Sequence, residues 1–284
     1  MFIGAHISRE KTILETINKI IENDGNALQI FVSNPRSNKI ININEKYFIN
    51  LEKINEYINK INFKIVIHNP YTINLASSFM NGKKIIDIND CYWIQLILNE
   101  LKISELLGSY GCIVHCGKYT KNTKEEGLNN MKLALKYIIT QMIKFKLKTK
   151  LILETSAGQG TELLSNYEEF LEFYNSFDDI EKEYLKICID TCHVWASGYE
   201  LIEIYNITKK NNNFKDIGVI HINKSKNPKN SKLDRHDTII EEKAYIDIND
   251  IVKFVNKMKK INNEIIFILE TPSNKLNYEI KLLK

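Results

Sequence analysis

Eight short apolar runs, rich in β-branched residues, recur along the chain: Ile3 to Ser8, Ala27 to Val32, Phe63 to His68, Cys112 to His115, Lys150 to Thr155, Leu185 to Asp190, Ile217 to Ile222 and Ile265 to Thr271. Runs this short and continuous are the pattern of parallel strands buried on both faces. The longer stretches between them carry apolar residues at helical spacing, as in Ile13, Ile17, Ile20 and Ile21, or Ile94, Leu98 and Leu101, and predict amphipathic helices. Ser165 and Glu168 have the spacing of a capping box just before Phe170, Leu171 and Phe173, which predicts a helix beginning there.

Strand and helix alternate with no Pro/Gly-rich linker, and no G-x-G-x-x-G follows the first run. An α/β fold in the form of one (β/α)8 TIM barrel over residues 1–284 is therefore expected, rather than an open doubly wound sheet. The two longest irregular stretches, Asn34 to Asn44 and Asn223 to Tyr245, each follow a strand run directly. In a barrel both lie on the C-terminal face, where active sites are built.

Composition changes this picture little. Hydrophobic residues are 44% and charged residues 26% of the 284, as in ordinary globular proteins, and the abundance of Lys, Ile and Asn reads as codon bias rather than disorder. A formal charge of +4 permits a polyanionic partner without pointing to one. The chain opens on the strand-like Met1-Phe2-Ile3-Gly4-Ala5-His6 with no cationic segment followed by an apolar one, and the five cysteines are an odd number, so secretion is not expected. No apolar stretch approaches the roughly 18 residues of a membrane span. An intracellular, reducing compartment is the expectation.

The informative positions are the ends of the strand runs, which carry His6, His68, His115, Glu154, Asp190, His221 and Glu270. Two further clusters follow strands, Asp190-Thr191-Cys192-His193 and Asp234-Arg235-His236, and together these account for all six histidines. A lone histidine near a strand end is more often a hydrogen-bonded rim or core residue than a ligand. Jointly these residues argue otherwise, because Glu154 and Glu270 end apolar runs, where a buried charge is costly without a cation or donor. Barrel closure brings such ends together from distant parts of the chain. Imidazoles mixed with carboxylates suit zinc, with manganese possible at one position, and disfavour calcium or magnesium. Cys112 and Cys116, and Cys188 and Cys192, are separated by three residues rather than two; they and Cys91 read as packing rather than as thiolate ligands.

These motifs resemble the endonuclease IV family of abasic-site endonucleases nearly end to end, from Ile3-Gly4-Ala5-His6 to Leu269-Glu270-Thr271. The most specific stretches are Leu153-Glu154-Thr155-Ser156-Ala157-Gly158-Gln159-Gly160, Cys188-Ile189-Asp190-Thr191-Cys192-His193, and Asp234-Arg235-His236 after His221. The resemblance implies a metal-dependent phosphodiester hydrolase with three zinc ions, which cuts duplex DNA 5′ to abasic sites and leaves a 3′-hydroxyl and a 5′-deoxyribose phosphate. It implies that His68, His115 and Glu154 hold one ion, that Glu154 bridges to a second held also by Asp190, His221 and Glu270, and that His193, Asp234 and His236 hold the third. Glu154 and Glu270 are the carboxylates assigned to catalysis. The resemblance also implies that Arg36 and Tyr71, with Thr72 beside it, penetrate the duplex at the lesion. The chain has three arginines against 36 lysines, which singles out Arg36.

The chain departs from the family where Thr72 replaces a common Leu, and where Asp237 and Ile240-Glu241-Glu242-Lys243 follow His236 in place of a His and a Gly-Glu-Gly turn. His6 matches a family position that is not a ligand. Abasic duplex DNA is thus the expected partner, no membrane is expected, and the protein is expected to be a monomer. The main alternative is a metal-dependent TIM-barrel sugar isomerase or epimerase, for which a third metal site has no use. A non-catalytic DNA-binding barrel would be expected to have lost ligands, and none is missing.

Overall fold

The computed structural model describes residues 1–42, 46–82, 84–271 and 275–284. Of the irregular stretch Asn34 to Asn44, Ile43 and Asn44 lie outside the described residues.

Eight parallel strands close into a ring: β1 (Phe2–His6), β2 (Ala27–Ile30), β3 (Lys64–His68), β4 (Gly111–His115), β5 (Lys150–Glu154), β6 (Leu185–Asp190), β7 (Ile217–Ile222) and β8 (Ile266–Leu269). Each pairs with its sequence neighbours, and β1 closes on β8 through Phe2 opposite Ile266 and Ala5 opposite Leu269. This is the TIM barrel that the alternation predicts. The first, second, fifth and last runs extend past their strands: Ile7 and Ser8, Phe31 and Val32, Thr155, and Glu270 and Thr271 lie beyond the ladder, in the loops that leave it. β1 and β2 come so close that a Cβ on Gly4 would stand 1.5 Å from the Ala27 carbonyl oxygen, so only glycine fits there.

Strand parity positions the site. One apolar cluster fills the barrel interior with Phe2, Ala27, Val66, Ile113, Ile152, Cys188, Val219, Ile266 and Ile268. Side chains on one face recur every two residues. The next inward position at the C-terminal end of the strands is therefore His68, His115, Glu154, Asp190, His221 or Glu270. On β1 parity gives His6, and on β2 it gives Gln29. The larger cluster lies outside, between the strands and the helices.

Helix α1 (Ile13–Glu22) buries Ile13, Ile17 and Ile20 and is capped by Thr12, whose hydroxyl accepts from the Glu15 amide. Ile21 lies off that stripe and is exposed. Helix α2 (Leu51–Lys60) buries Ile54 and Ile58, one turn apart. In α3 (Tyr92–Leu106) Ile94 and Leu101 are buried and Leu98 half-buried. Reciprocal capping boxes open α4 (Lys124–Lys144), at Thr123 with Glu126, and α6 (Asp179–Tyr184), at Asp178 with Glu181. Between them, α5 (Tyr167–Asn175) starts one residue later than its capping signal implies: Asn166, not Ser165, is the cap, its side chain accepting from the Glu169 amide at 2.9 Å. All five cysteines are free and buried, as packing requires. Among the described residues no helix is long and apolar enough to cross a membrane.

An acidic side chain without a matching partner also lies inside the helical layer. Glu100 on α3 is fully buried, neither carboxylate oxygen has a hydrogen-bond partner among the described residues, and burial pushes its pKa up to about 8 against the opposing pull of Ser33 and Arg9.

Candidate metal centre

The rim gathers five imidazoles and four carboxylates into three adjoining donor sets. In the first, the Nε2 atoms of His68 and His115 face each other at 3.2 Å, and lie 3.5 and 3.1 Å from Glu154 Oε2. In the second, His221 Nδ1 stands 2.8 Å from Glu154 Oε1, 3.1 Å from Glu270 Oε2 and 3.7 Å from Asp190 Oδ2. In the third, Asp234 lies between two rings, with Oδ2 3.2 Å from His193 Nε2 and Oδ1 3.1 Å from His236 Nε2. Asp190 Oδ2 also approaches His236 Nε2, at 3.5 Å, so the second and third sets adjoin through Asp190. All nine positions proposed as ligands from the sequence are brought together. Ligand atoms about 2.1 Å from a common tetrahedral ion are about 3.4 Å from one another, which is the spacing within these sets.

Local structure explains the placement. Glu154, Asp190 and His221 end strands pointing inward, while His193 lies one helical turn into α7 (Thr191–Ser197). That helix is capped by Asp190, which accepts the His193 amide at 2.8 Å. Asp234 and His236 come from the long loop after β7. Its end forms a short antiparallel pair, in which Lys224 lies opposite Asp237 and Ser225 opposite His236.

The surroundings fix which ring nitrogens are bare. His68 Nδ1 donates to the Asn69 carbonyl at 2.8 Å and His193 Nδ1 to the Thr155 carbonyl at 2.8 Å, so each Nε2 lone pair points into the site. Asn223 donates to Asp190 Oδ2 at 2.8 Å and accepts the Glu270 amide at 3.1 Å. Among the described residues, three buried atoms at the centre, Glu154 Oε2, His193 Nε2 and His236 Nε2, have no hydrogen-bond partner although charged groups surround them. Orphaned acceptors in a mixed imidazole and carboxylate set are what divalent ions would satisfy, and the residues present fit zinc.

Electrostatics agree with that fit. Burial opposes the charge on Glu154, yet His115 and His221 hold its carboxyl well below the ordinary range. Glu270, likewise opposed by burial, is held low chiefly by His221. Burial also disfavours protonation of His236, but Asp190 and Asp234 outweigh it and lift the ring to about 9. His193 is raised well above its usual value against the same desolvation, by Asp190 and Asp234. His68, more fully desolvated than paired, is lowered. Cys188 lies near Glu154 and His221, and Cys192 near Asp234 and His236. Burial pushes both thiols up to about 12, so neither offers a thiolate near neutral pH.

A cavity of about 300 Å³ opens over the centre, lined by Tyr71, His115, Glu154, His193, Asp234 and Glu270 among others. Tyr71 is 59% exposed, and its ring rests against Phe31, His68 and His115 at centroid distances of 5.3, 5.6 and 5.6 Å. Arg36 is exposed on the loop after β2, whose Pro35 carbonyl accepts the Tyr71 amide at 2.9 Å. Thr72 is half-buried and donates to the Ser37 carbonyl at 3.2 Å, so its side chain ties the two loops together. Gly158 and Gly160 adopt left-handed φ of 82° and 64°. The Gln159 side chain between them accepts the Asp234 amide at 3.3 Å, tying this turn to the third donor set. His6 sits outside the donor sets, against Gln29 and Glu270.

Gln29 is the residue that the apolar pattern of β2 conceals. It is fully buried and touches His6, His221 and Glu270. The available signal is parity: two residues after the inward Ala27, it occupies the same rim layer as the histidines and carboxylates.

A closed β/α barrel with this donor array at its C-terminal rim defines a TIM-barrel metalloenzyme. Residues 18–284 match the family described as the xylose isomerase-like TIM barrel. The probable endonuclease 4 of Clostridium botulinum (strain Alaska E43 / Type E3) is 32% identical over 293 residues, spanning 99% of this chain and 97% of that protein. The chain belongs to the endonuclease IV family of abasic-site endonucleases. Endonuclease IV from Thermus thermophilus superposes with a TM-score of 0.75 at 21% identity, covering 100% of this chain and 97% of that one. A D-tagatose 3-epimerase-like protein superposes with a TM-score of 0.70 at 18% identity, covering 100% and 96%. The barrel alone therefore does not separate nuclease from epimerase; the donor array must do so.

Proposed function

We propose that the chain hydrolyses the phosphodiester bond 5′ to abasic sites in duplex DNA, leaving a 3′-hydroxyl and a 5′-deoxyribose phosphate, with three zinc ions at the barrel rim. The observation that carries this reading is Asp234, 3.2 Å from His193 and 3.1 Å from His236, which with Asp190 beside the same two rings gathers a third donor set next to the two that share Glu154. Moving a proton or hydride within a sugar has no use for a third adjoining ion. Displacement at phosphorus does, since charge develops on entering and leaving oxygens together.

His68, His115 and Glu154 would hold one ion, Glu154, Asp190, His221 and Glu270 the second, and His193, Asp234 and His236 the third. When bound, such ions polarise the phosphate, neutralise its charge and make hydroxide available at neutral pH. The chain's own groups orient and bind. Glu154 and Glu270 stay ionised because their histidine neighbours hold them low, so they act as fixed anions rather than as proton carriers. The Tyr71 ring, backed by Phe31 and His68, offers a flat face on which a base beside the gap can stack. Arg36 brings a cation to the duplex from the neighbouring loop. A missing base lowers the cost of unstacking and kinking, so the lesion is selected by deformability. Five unpaired cysteines suit a reducing compartment that holds DNA, cytoplasm or nucleus.

The test is incision of a duplex carrying one abasic analogue, beside an intact duplex, with elemental analysis of the same preparation. A single cut 5′ to the analogue, a ligatable 3′ end, three metals per chain and loss of activity on prolonged chelation are expected. No incision, or fewer than two tightly held metals, overturns the proposal.

A further inference from the structure

Gln29 is a fully buried polar residue within the apolar run Ala27-Leu28-Gln29-Ile30. It makes three contacts: Nε2 with Glu270 Oε1 at 2.5 Å, Nε2 with His6 Nδ1 at 2.9 Å, and Oε1 with His221 Nε2 at 2.8 Å. We infer that Gln29 is a positioning residue that holds the proton of His221 on Nε2, so that the Nδ1 lone pair is the one presented to the second metal. The inference rests on the metal-centre reading above.

The contacts set donors and acceptors in sequence. An ionised carboxylate can only accept, so Glu270 turns the amide NH₂ toward itself. The second N–H of that group meets His6 Nδ1, which must accept, leaving the His6 proton on Nε2. The amide oxygen is thereby directed at His221 Nε2, which must donate. The opposite tautomer would set a ring lone pair against a carbonyl oxygen at 2.8 Å. With Nε2 occupied, Nδ1 is the bare nitrogen, and it faces Glu154 Oε1 at 2.8 Å and Glu270 Oε2 at 3.1 Å. A lone pair facing two carboxylate oxygens is stable only with a cation between them.

The other rings show why a side chain is used. His68 and His193 are fixed by backbone carbonyls, those of Asn69 and Thr155, through Nδ1. His221 points inward from the middle of the barrel rim, and Gln29 from β2 supplies the carbonyl. The same amide holds Glu270 by Oε1 and leaves Oε2 turned toward His221. One residue thus orients two ligands of one metal.

The wild-type protein tests this without any substitution. In zinc-loaded protein labelled with ¹⁵N-histidine, long-range ¹H–¹⁵N correlation is expected to show Nε2–H for two of the six rings, His6 and His221, and of these two only the Nδ1 of His221 is expected to show the shift of a metal-bound nitrogen. A loaded protein in which all five ligand rings carry Nδ1–H overturns the inference and leaves the metal centre standing. A protein that retains no metal overturns the centre itself, and the inference with it. In Gln29→Met, which keeps length and removes both donors and acceptor, His221 is expected to populate both tautomers. One zinc per chain is expected to bind about 10- to 100-fold more weakly in a chelator competition, the others being unchanged. Unchanged tautomer and affinity in a folded variant also overturn the inference, and if the variant fails to fold the wild-type spectrum decides.

Discussion

Removing the metals should reverse how the stability of this protein responds to pH. In the metal-free chain His236 titrates at about 9 rather than 6.5, because Asp190 and Asp234 outweigh the desolvation that opposes its charge, and His193 and His221 are raised well above the same value. A raised histidine stabilises the fold fully below its unfolded value of about 6.5, and that contribution is lost as pH rises through the folded value. At about 1.4 kcal/mol per pKa unit, His236 alone contributes about 3 kcal/mol to the metal-free fold, which is gone above pH 9. His193 and His221 act in the same direction. Metal ligation requires these rings unprotonated, so protons compete with metal below that range and stop competing above it.

The gap in stability between loaded and metal-free protein should therefore widen by at least about 3 kcal/mol between pH 6.5 and 9. In a domain of this size that is a widening of roughly 6 to 12 °C in Tm. Calorimetry of zinc-loaded and chelator-treated protein at the two pH values measures it. Lysines, tyrosines and Glu100 titrate in both forms and cancel in the gap. A gap that stays constant would refute the reasoning, because it would mean that these rings bind no metal or that the carboxylates do not hold their protons.

Three further outcomes follow from particular contacts. Glu270→Gln keeps the shape but removes one of the anions facing His221 Nδ1; incision should fall at least about 100-fold while the Kd for an abasic duplex changes little, and unchanged turnover would remove Glu270 from the centre. Tyr71→Ala removes an exposed ring whose stacking on a base is worth about 1–3 kcal/mol, so preference for abasic over intact duplex in competition binding should drop by roughly 5- to 100-fold. Glu100→Gln should stabilise the protein by roughly 2–4 kcal/mol at pH 7.5 in urea denaturation, because a buried acid raised to about 8 loses stability as pH rises above its unfolded value of about 4.5; no gain would mean that solvent or a donor reaches the carboxyl.

The barrel is legible in the sequence because buried parallel strands are nearly continuous apolar runs, and its rim because a carboxylate ending such a run, as Glu154 does after Leu151-Ile152-Leu153, has to be compensated. What stays hidden depends on distances that spacing does not encode. Asp190 adjoins both the second and the third donor sets only because it caps the helix carrying His193. Thr72 is tied to Ser37 by a loop contact between different β/α units, which nothing around Pro70-Tyr71-Thr72 foretells. The start of α5 is ambiguous by one residue because Ser165 and Asn166 are both capping residues, and only the geometry at the Glu169 amide decides between them.

Gln29 escapes the apolar pattern for a different reason, which bears on reading such barrels. The run Ala27 to Val32 draws attention to its apolar end, whereas parity counted from the interior Ala27 places Gln29 in the layer of His6, His68, His115, Glu154, Asp190, His221 and Glu270. Those seven are titratable, and Gln29 is the one member of the layer that both donates and accepts whatever the pH. It stands between an acceptor, Glu270, and a ring that must donate, His221. A second carboxylate there would repel Glu270, and an aliphatic side chain would leave His221 free to turn the wrong nitrogen to the metal. The neutral residue in a ring of charged ones is thus where the protonation pattern of the centre is fixed.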